Sequence, residues 1–137
     1  MDRKNNLKAV ILAGIAGGIV FVLSEMILNP LFLGVSPWHP MRMISGIILG
    51  DGILPPPATF SWTALAITLP LHFLLSILYV FIGSLILWRA PKSAPVAGAF
   101  LGLLLYIINF YGWTLVFPWF EMARNWVSIV SHVLFGI

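Results

Sequence analysis

The sequence predicts an all-α fold: a polytopic membrane bundle of about four transmembrane helices plus a short re-entrant or interfacial helix, with a parallel internal repeat. Three observations predict it. Of the 137 residues, 61% are hydrophobic and only 8% charged, far below the roughly 25% charged composition of soluble domains. The apolar residues fall in runs of about 20, the length that crosses a hydrocarbon core ~30 Å thick. Lysine and arginine sit beside these runs and form no long basic tract, which is a topology signal and argues against nucleic acid as a partner.

The first span is expected over about Leu7 to Leu28, ended by Asn29-Pro30, a pair that resists helix continuation. The apolar run from Ala9 to Leu28 is too long for a signal-peptide core, and no small-residue cleavage pattern follows it, so it reads as a retained span. A Trp- and Pro-rich connection follows, of the kind found at membrane interfaces. Residues Met41 to Gly50 then form a short apolar helix. At 1.5 Å per residue it covers ~15 Å, half a bilayer core, and reads as re-entrant or interfacial. The run Pro55-Pro56-Pro57 predicts a rigid polyproline loop. Thr59 or Ser61 is placed to cap the next helix, which runs to Trp88 with Pro70 as a kink or as the limit of an interfacial first turn. The loop with Arg89 and Lys92 leads to a span over roughly Val96 to Phe117. A last helix is expected from Glu121 or Met122 to Ile137. It ends without a cap, a Gly-Pro stop or a polar tail, which predicts that the natural chain continues.

Positive residues set the orientation. Arg3, Lys4 and Lys8 place the N-terminus in the cytoplasm, and Arg89 with Lys92 place the middle loop there as well. The whole chain, 1–137, reads as one membrane domain, multi-pass in a bacterial inner membrane.

The first and third spans share a pattern at an offset of 84 (97 minus 13): Ala13-Gly14, Gly18 and Glu25 match Ala97-Gly98, Gly102 and Asn109. Beyond them Pro37-Trp38 and Arg42 match Pro118-Trp119 and Arg124 with a small shift, and ISGIILG matches VSHVLFG. The halves 9–50 and 93–137, joined by the helix at 61–88, then make two parallel copies related by an axis along the membrane normal. Chance similarity between two glycine-rich apolar segments is the competing explanation. The GxxxG steps at Gly14/Gly18 and Gly98/Gly102 point to close helix packing, not to a ligand.

Glu25 is the most informative residue, because a carboxylate inside a span costs on the order of 2.5–3.5 kcal/mol unless paired or hydrated. It lies about 17 residues beyond Lys8, hence ~25 Å along the helix and in the outer leaflet. Asn109, His72 and His132 come to similar depth. With Arg42 and Arg124 they form a polar cluster that is either an interhelical hydrogen-bonded network, with Glu25 pairing one of the arginines, or a site for a cation, a proton or a polar ligand. His72 and His132 could also ligate haem iron or another metal, although a lone intramembrane histidine is more often a hydrogen bonder. Trp38, Trp62, Trp113, Trp119, Phe120 and Trp126 suit an aromatic belt, with stacking around a pigment, quinone or lipid tail as the alternative. The sequence has no cysteine, which removes disulfides, thiolate metal sites and cysteine nucleophiles. It shows no nucleophile elbow, HExxH, phosphate loop or paired carboxylates. No catalytic residue is assigned, and an enzyme is not expected.

The runs SPWHPMRMISGIILG, LPPPATF and NFYGWTLVFPWFEMARNW resemble a family of small, uncharacterised bacterial membrane proteins, some labelled sodium:proline symporter. The resemblance covers most of the chain and assigns no ligand residue. Three functions follow as expectations. The first is a non-enzymatic structural or accessory subunit of a larger membrane complex of respiratory or photosynthetic type, whose partners are the lipid bilayer, other membrane subunits or further copies of itself. The second is a small oligomeric transporter or channel using the polar cluster around Glu25. The third is a haem or metal binder through His72 and His132.

Overall fold

Why the first apolar run does not stop at its proline is visible in the computed structural model, which describes residues 3–54, 56, 58–87 and 93–137. Helix α1 covers Arg3–Leu28. Pro30 has no N–H to give, so a carbonyl one turn back loses its donor. The chain answers by widening into a π-turn over Asn29–Leu33, and the Asn29 side-chain amide donates to the Glu25 carbonyl at 2.9 Å. Gly34, at φ 64°, closes the turn with its N–H on the Asn29 carbonyl, in the left-handed region that glycine adopts without strain. The span expected to end at Leu28 is therefore continuous and apolar from Leu7 to Leu33.

Helix α2, His39–Leu49, is the short helix expected from Met41. A 3₁₀ turn at Asp51–Ile53 follows. Pro55 and Pro57 of the expected polyproline loop lie outside the described residues. Ser61 accepts from the Ala64 N–H at 3.2 Å and so caps α3, Trp62–Leu87, which passes through Pro70 as one helix. Trp88, Arg89 and Lys92 lie outside the described residues. Helix α4, Ala94–Ile107, also widens into a π-turn, at Ile108–Gly112.

The last helix differs from expectation. Residues Pro118–Ala123 form a 3₁₀ segment, and α5 begins only at Trp126 and runs to Gly136. The Asn125 side chain sets that start by accepting the Ser128 N–H at 3.0 Å. Three helical stretches are thus long and apolar enough to cross a membrane, Leu7–Leu33, Trp62–Ile86 and Ala94–Leu115. Helix α5, at 11 residues, covers ~16 Å, about half a hydrocarbon core. The described chain is all-helical.

Packing follows the small residues. Helix α1 lies against both α3 and α5, α5 lies against α4, and α2 lies against α3, whereas α3 and α4 meet sparsely. A Cβ at Gly14 would sit 2.6 Å from the Ile77 Cα, and one at Gly98 or Gly102 would collide with the backbone carbonyls of Gly136 and His132. The two GxxxG steps therefore face different partners, α3 for the first and α5 for the second. The pairing of Gly98 with Gly136 and Gly102 with His132 makes α4 and α5 antiparallel. Large apolar side chains such as Leu12, Leu74, Phe100 and Ile107 remain exposed, which suits hydrocarbon surroundings.

Candidate functional site

The six polar residues singled out in the sequence divide into five separate groups. Arg42 is a clamp: its guanidinium donates to the carbonyls of Thr59 and Ile53, both at 2.9 Å, and to the Thr59 hydroxyl at 3.1 Å. Arg124 plays a similar part at the second π-turn, donating to the Phe110 carbonyl at 2.7 Å and the Thr114 hydroxyl at 2.9 Å. Its ion pair is with Glu121, at 2.8 Å, and it also lies over the Tyr111 ring, 4.4 Å from the centroid. Both arginines satisfy carbonyls that irregular backbone leaves without donors, a requirement that hydrocarbon surroundings make strict. Neither is hydrogen-bonded to Glu25.

Asn109 and His132 do come together. The Tyr79 hydroxyl donates to Asn109 Oδ1 at 2.7 Å, the Asn109 amide nitrogen stands 3.1 Å from His132 Nε2, and His132 Nδ1 stands 2.7 Å from the Ser128 carbonyl. The carbonyl can only accept, so Nδ1 carries the proton and Nε2 accepts from Asn109. This chain ties α3 to α4 and α4 to α5. His72 stands apart, with Nε2 3.0 Å from the Gly18 carbonyl and therefore protonated there. The Phe21 ring contacts both imidazoles, with centroids 5.5 Å from His72 and 4.8 Å from His132. Axial ligation of one iron would have to break the bond at each Nε2 or turn the rings away from Phe21. Among the described residues no group of three or more His, Cys, Asp or Glu is placed to hold a metal ion.

Glu25 has its own surroundings. The carboxyl accepts from Asn29 Nδ2 at 2.7 Å through Oε2, and the hydroxyls of Ser128 and Ser131 on α5 face it. Those hydroxyls and Oε1 stand outside hydrogen-bonding geometry, so all three atoms are buried without a partner. Neither serine nor Asn29 stood out in the sequence. A polar residue four positions after Glu25, next to a proline, was the available signal.

A cavity of about 390 Å³ lies between α3 and the end of α4 with the segments that follow it. Its walls are apolar and aromatic, with Leu75, Phe110, Trp113 and Phe117 among them, and its polar lining comes from His72, Ser76, Tyr79, Asn109 and His132. The cavity exists because α3 and α4 meet sparsely, while α2 and the 3₁₀ segment, tied together by the Trp119 indole N–H on the Met43 carbonyl at 3.0 Å, cover one end. It also touches α1 and α5 through Phe21 and Phe135. No family model matches the sequence, and neither a curated protein nor a solved structure matches it.

Proposed function

We propose that this protein is a non-enzymatic integral membrane protein, of the bacterial inner membrane with a cytoplasmic N-terminus, that holds a small, largely apolar molecule carrying one hydrogen-bonding group. The cavity between α3 and α4 carries this reading. At about 390 Å³ it falls within the roughly 300–1,000 Å³ of small-molecule sites, which combine apolar walls with a few fixed polar groups. The walls would take the apolar body. Tyr79, Asn109 and His132, already aligned by their mutual hydrogen bonds, would orient the polar group at low entropic cost. A quinone, an isoprenoid or a pigment has this chemistry. Holding such a molecule suits an accessory subunit of a larger membrane assembly.

The test is mass spectrometry of organic extracts from protein purified in mild detergent, compared with extracts of a Leu75→Trp variant whose added ring fills the cavity. A molecule held at about one per chain in the native protein and lost from the variant is expected. Equal recovery from both, or recovery of bulk phospholipid and detergent alone, overturns the reading.

A further inference from the structure

We propose that Glu25, Ser128 and Ser131 form a binding site for a small monovalent metal cation at the junction of α1 and α5. The starting observation is a coincidence of unpartnered atoms. Glu25 is 5% exposed and the two serines 0%, and Oε1 of the one and Oγ of the others are the described buried side-chain atoms that lack a partner. Buried polar atoms are rarely left so. Serines within a helix usually return their hydroxyl to a carbonyl three or four residues back. Ser45 does this to Arg42 at 3.0 Å, whereas Ser128 and Ser131 leave their oxygens toward the carboxyl. Two hydroxyls beside a carboxyl, with an oxygen of each left without a partner, hold unused capacity for an occupant.

Charge selects the class of occupant. The ion pair among the described residues joins Arg124 to Glu121, and Arg42 is spent on the loop carbonyls, so no described cation balances Glu25. Ionised Glu25 would balance one positive charge, and a divalent ion would leave an excess in a medium that penalises it. Carboxylate and hydroxyl oxygens are hard donors, suited to alkali ions over soft transition metals. Space selects its size. A cavity of about 60 Å³ adjoins Glu25, Asn29 and Ser128 and reaches Val35, His39 and Asn125 in the segments around α2 and α5. That admits a metal ion with a few waters and excludes an organic ammonium of choline size. The site is separate from the cavity between α3 and α4, and it stands or falls independently of what that cavity holds.

Thermal unfolding of the purified full chain in detergent tests it, with LiCl, NaCl or KCl replacing choline chloride at constant ionic strength. At least one alkali ion should raise the midpoint by on the order of 5 °C near saturation, with a saturable dependence on its concentration. Glu25→Gln should abolish the rise. Ser131→Ala, which removes one oxygen and is the gentler change, should weaken the apparent affinity ~10-fold or more. A site that holds only water gives the same midpoint in choline and in every alkali salt, and that result overturns the proposal. So does a rise that survives unchanged in Ser131→Ala or in folded Glu25→Gln.

Discussion

Arg124 shows how a charged side chain can matter more for its hydrogen bonds than for its ion pair. Glu121 is 69% exposed at its side chain, so that pair contributes at most about 0.5 kcal/mol. The bonds to Phe110 and Thr114 satisfy backbone and hydroxyl groups beside a π-turn, and bonds from a charged donor are stronger, roughly 1.5–3 kcal/mol. Arg124→Ala should therefore destabilise the protein by about 2 kcal/mol, while Glu121→Gln changes little. Arg124→Lys should not rescue, because an ammonium cannot span both acceptors as the planar guanidinium does. Chemical unfolding of the variants in micelles provides the comparison. His132 offers a second check at this scale. Its Nδ1 faces a carbonyl, so nitrogen-15 NMR of labelled histidine, assigned by comparison with a His132→Gln variant, should find the Nδ1–H tautomer at His132, and an Nε2–H signal assigned to His132 would contradict the relay through Asn109.

At the scale of elements, the interfaces are set by backbone approach. Gly98 and Gly102 bring α4 so close to α5 that a methyl group at either position meets a carbonyl of the other helix. Gly98→Ala or Gly102→Ala should cost about 1–3 kcal/mol, the range for overpacking. Gly112 has nothing within 4 Å of its added Cβ, and Gly112→Ala should lie within about 0.5 kcal/mol of the native protein. Melting curves of the three variants decide the point, and equal losses would mean that α4 and α5 do not pack as described. The same scale explains why the two GxxxG steps are legible as packing surfaces yet do not reveal their partners. The motif states that some backbone approaches, and the partner depends on where the connecting segments deliver the next helix. A duplicated origin for 9–50 and 93–137 remains a proposal. Both halves carry a longer helix, a π-turn, a Pro-Trp pair and an 11-residue helix in that order, with a clamping arginine inside the last helix of the first half and just before that of the second, which supports it.

For the molecule as a whole, the arrangement of long helices joins α1, α3 and α4 in alternating directions. With a cytoplasmic N-terminus, Asp51 would lie outside and Ser93 inside. The sequence lacks cysteine, so single cysteines report cleanly. A membrane-impermeant maleimide should label Asp51→Cys in intact spheroplasts and Ser93→Cys only after permeabilisation. The reverse pattern would invert the orientation, and equal labelling of both would refute an odd number of crossings between them.

By itself the sequence determined the solvent, the all-helical class and the apolar runs of the three long helices, although it counted about four spans, because hydrocarbon burial depends on run length and composition, which are local properties. It also marked the short helix after the first span, the cap at Ser61 and the glycine faces, since each is written within a few neighbouring residues. Tertiary structure decided the rest. Asn29 and Pro30 read as a helix stop, whereas the chain continues through a π-turn, with the Asn29 amide on the Glu25 carbonyl and the Gly34 N–H on the Asn29 carbonyl. Residues 121–125 read as helical, and the 3₁₀ segment there is held by Arg124 and Trp119 reaching other elements. Depth along a helix suggested that Glu25, His72, Asn109 and His132 share a level, but depth carries no azimuth. Axial offset and the rotation of each helix together separate Glu25, beside Ser128 and Ser131, from His132 at the level of Phe21 and His72 at the level of Gly18. That rotation is set by the side chains each helix meets across the bundle, and no local stretch of sequence contains it.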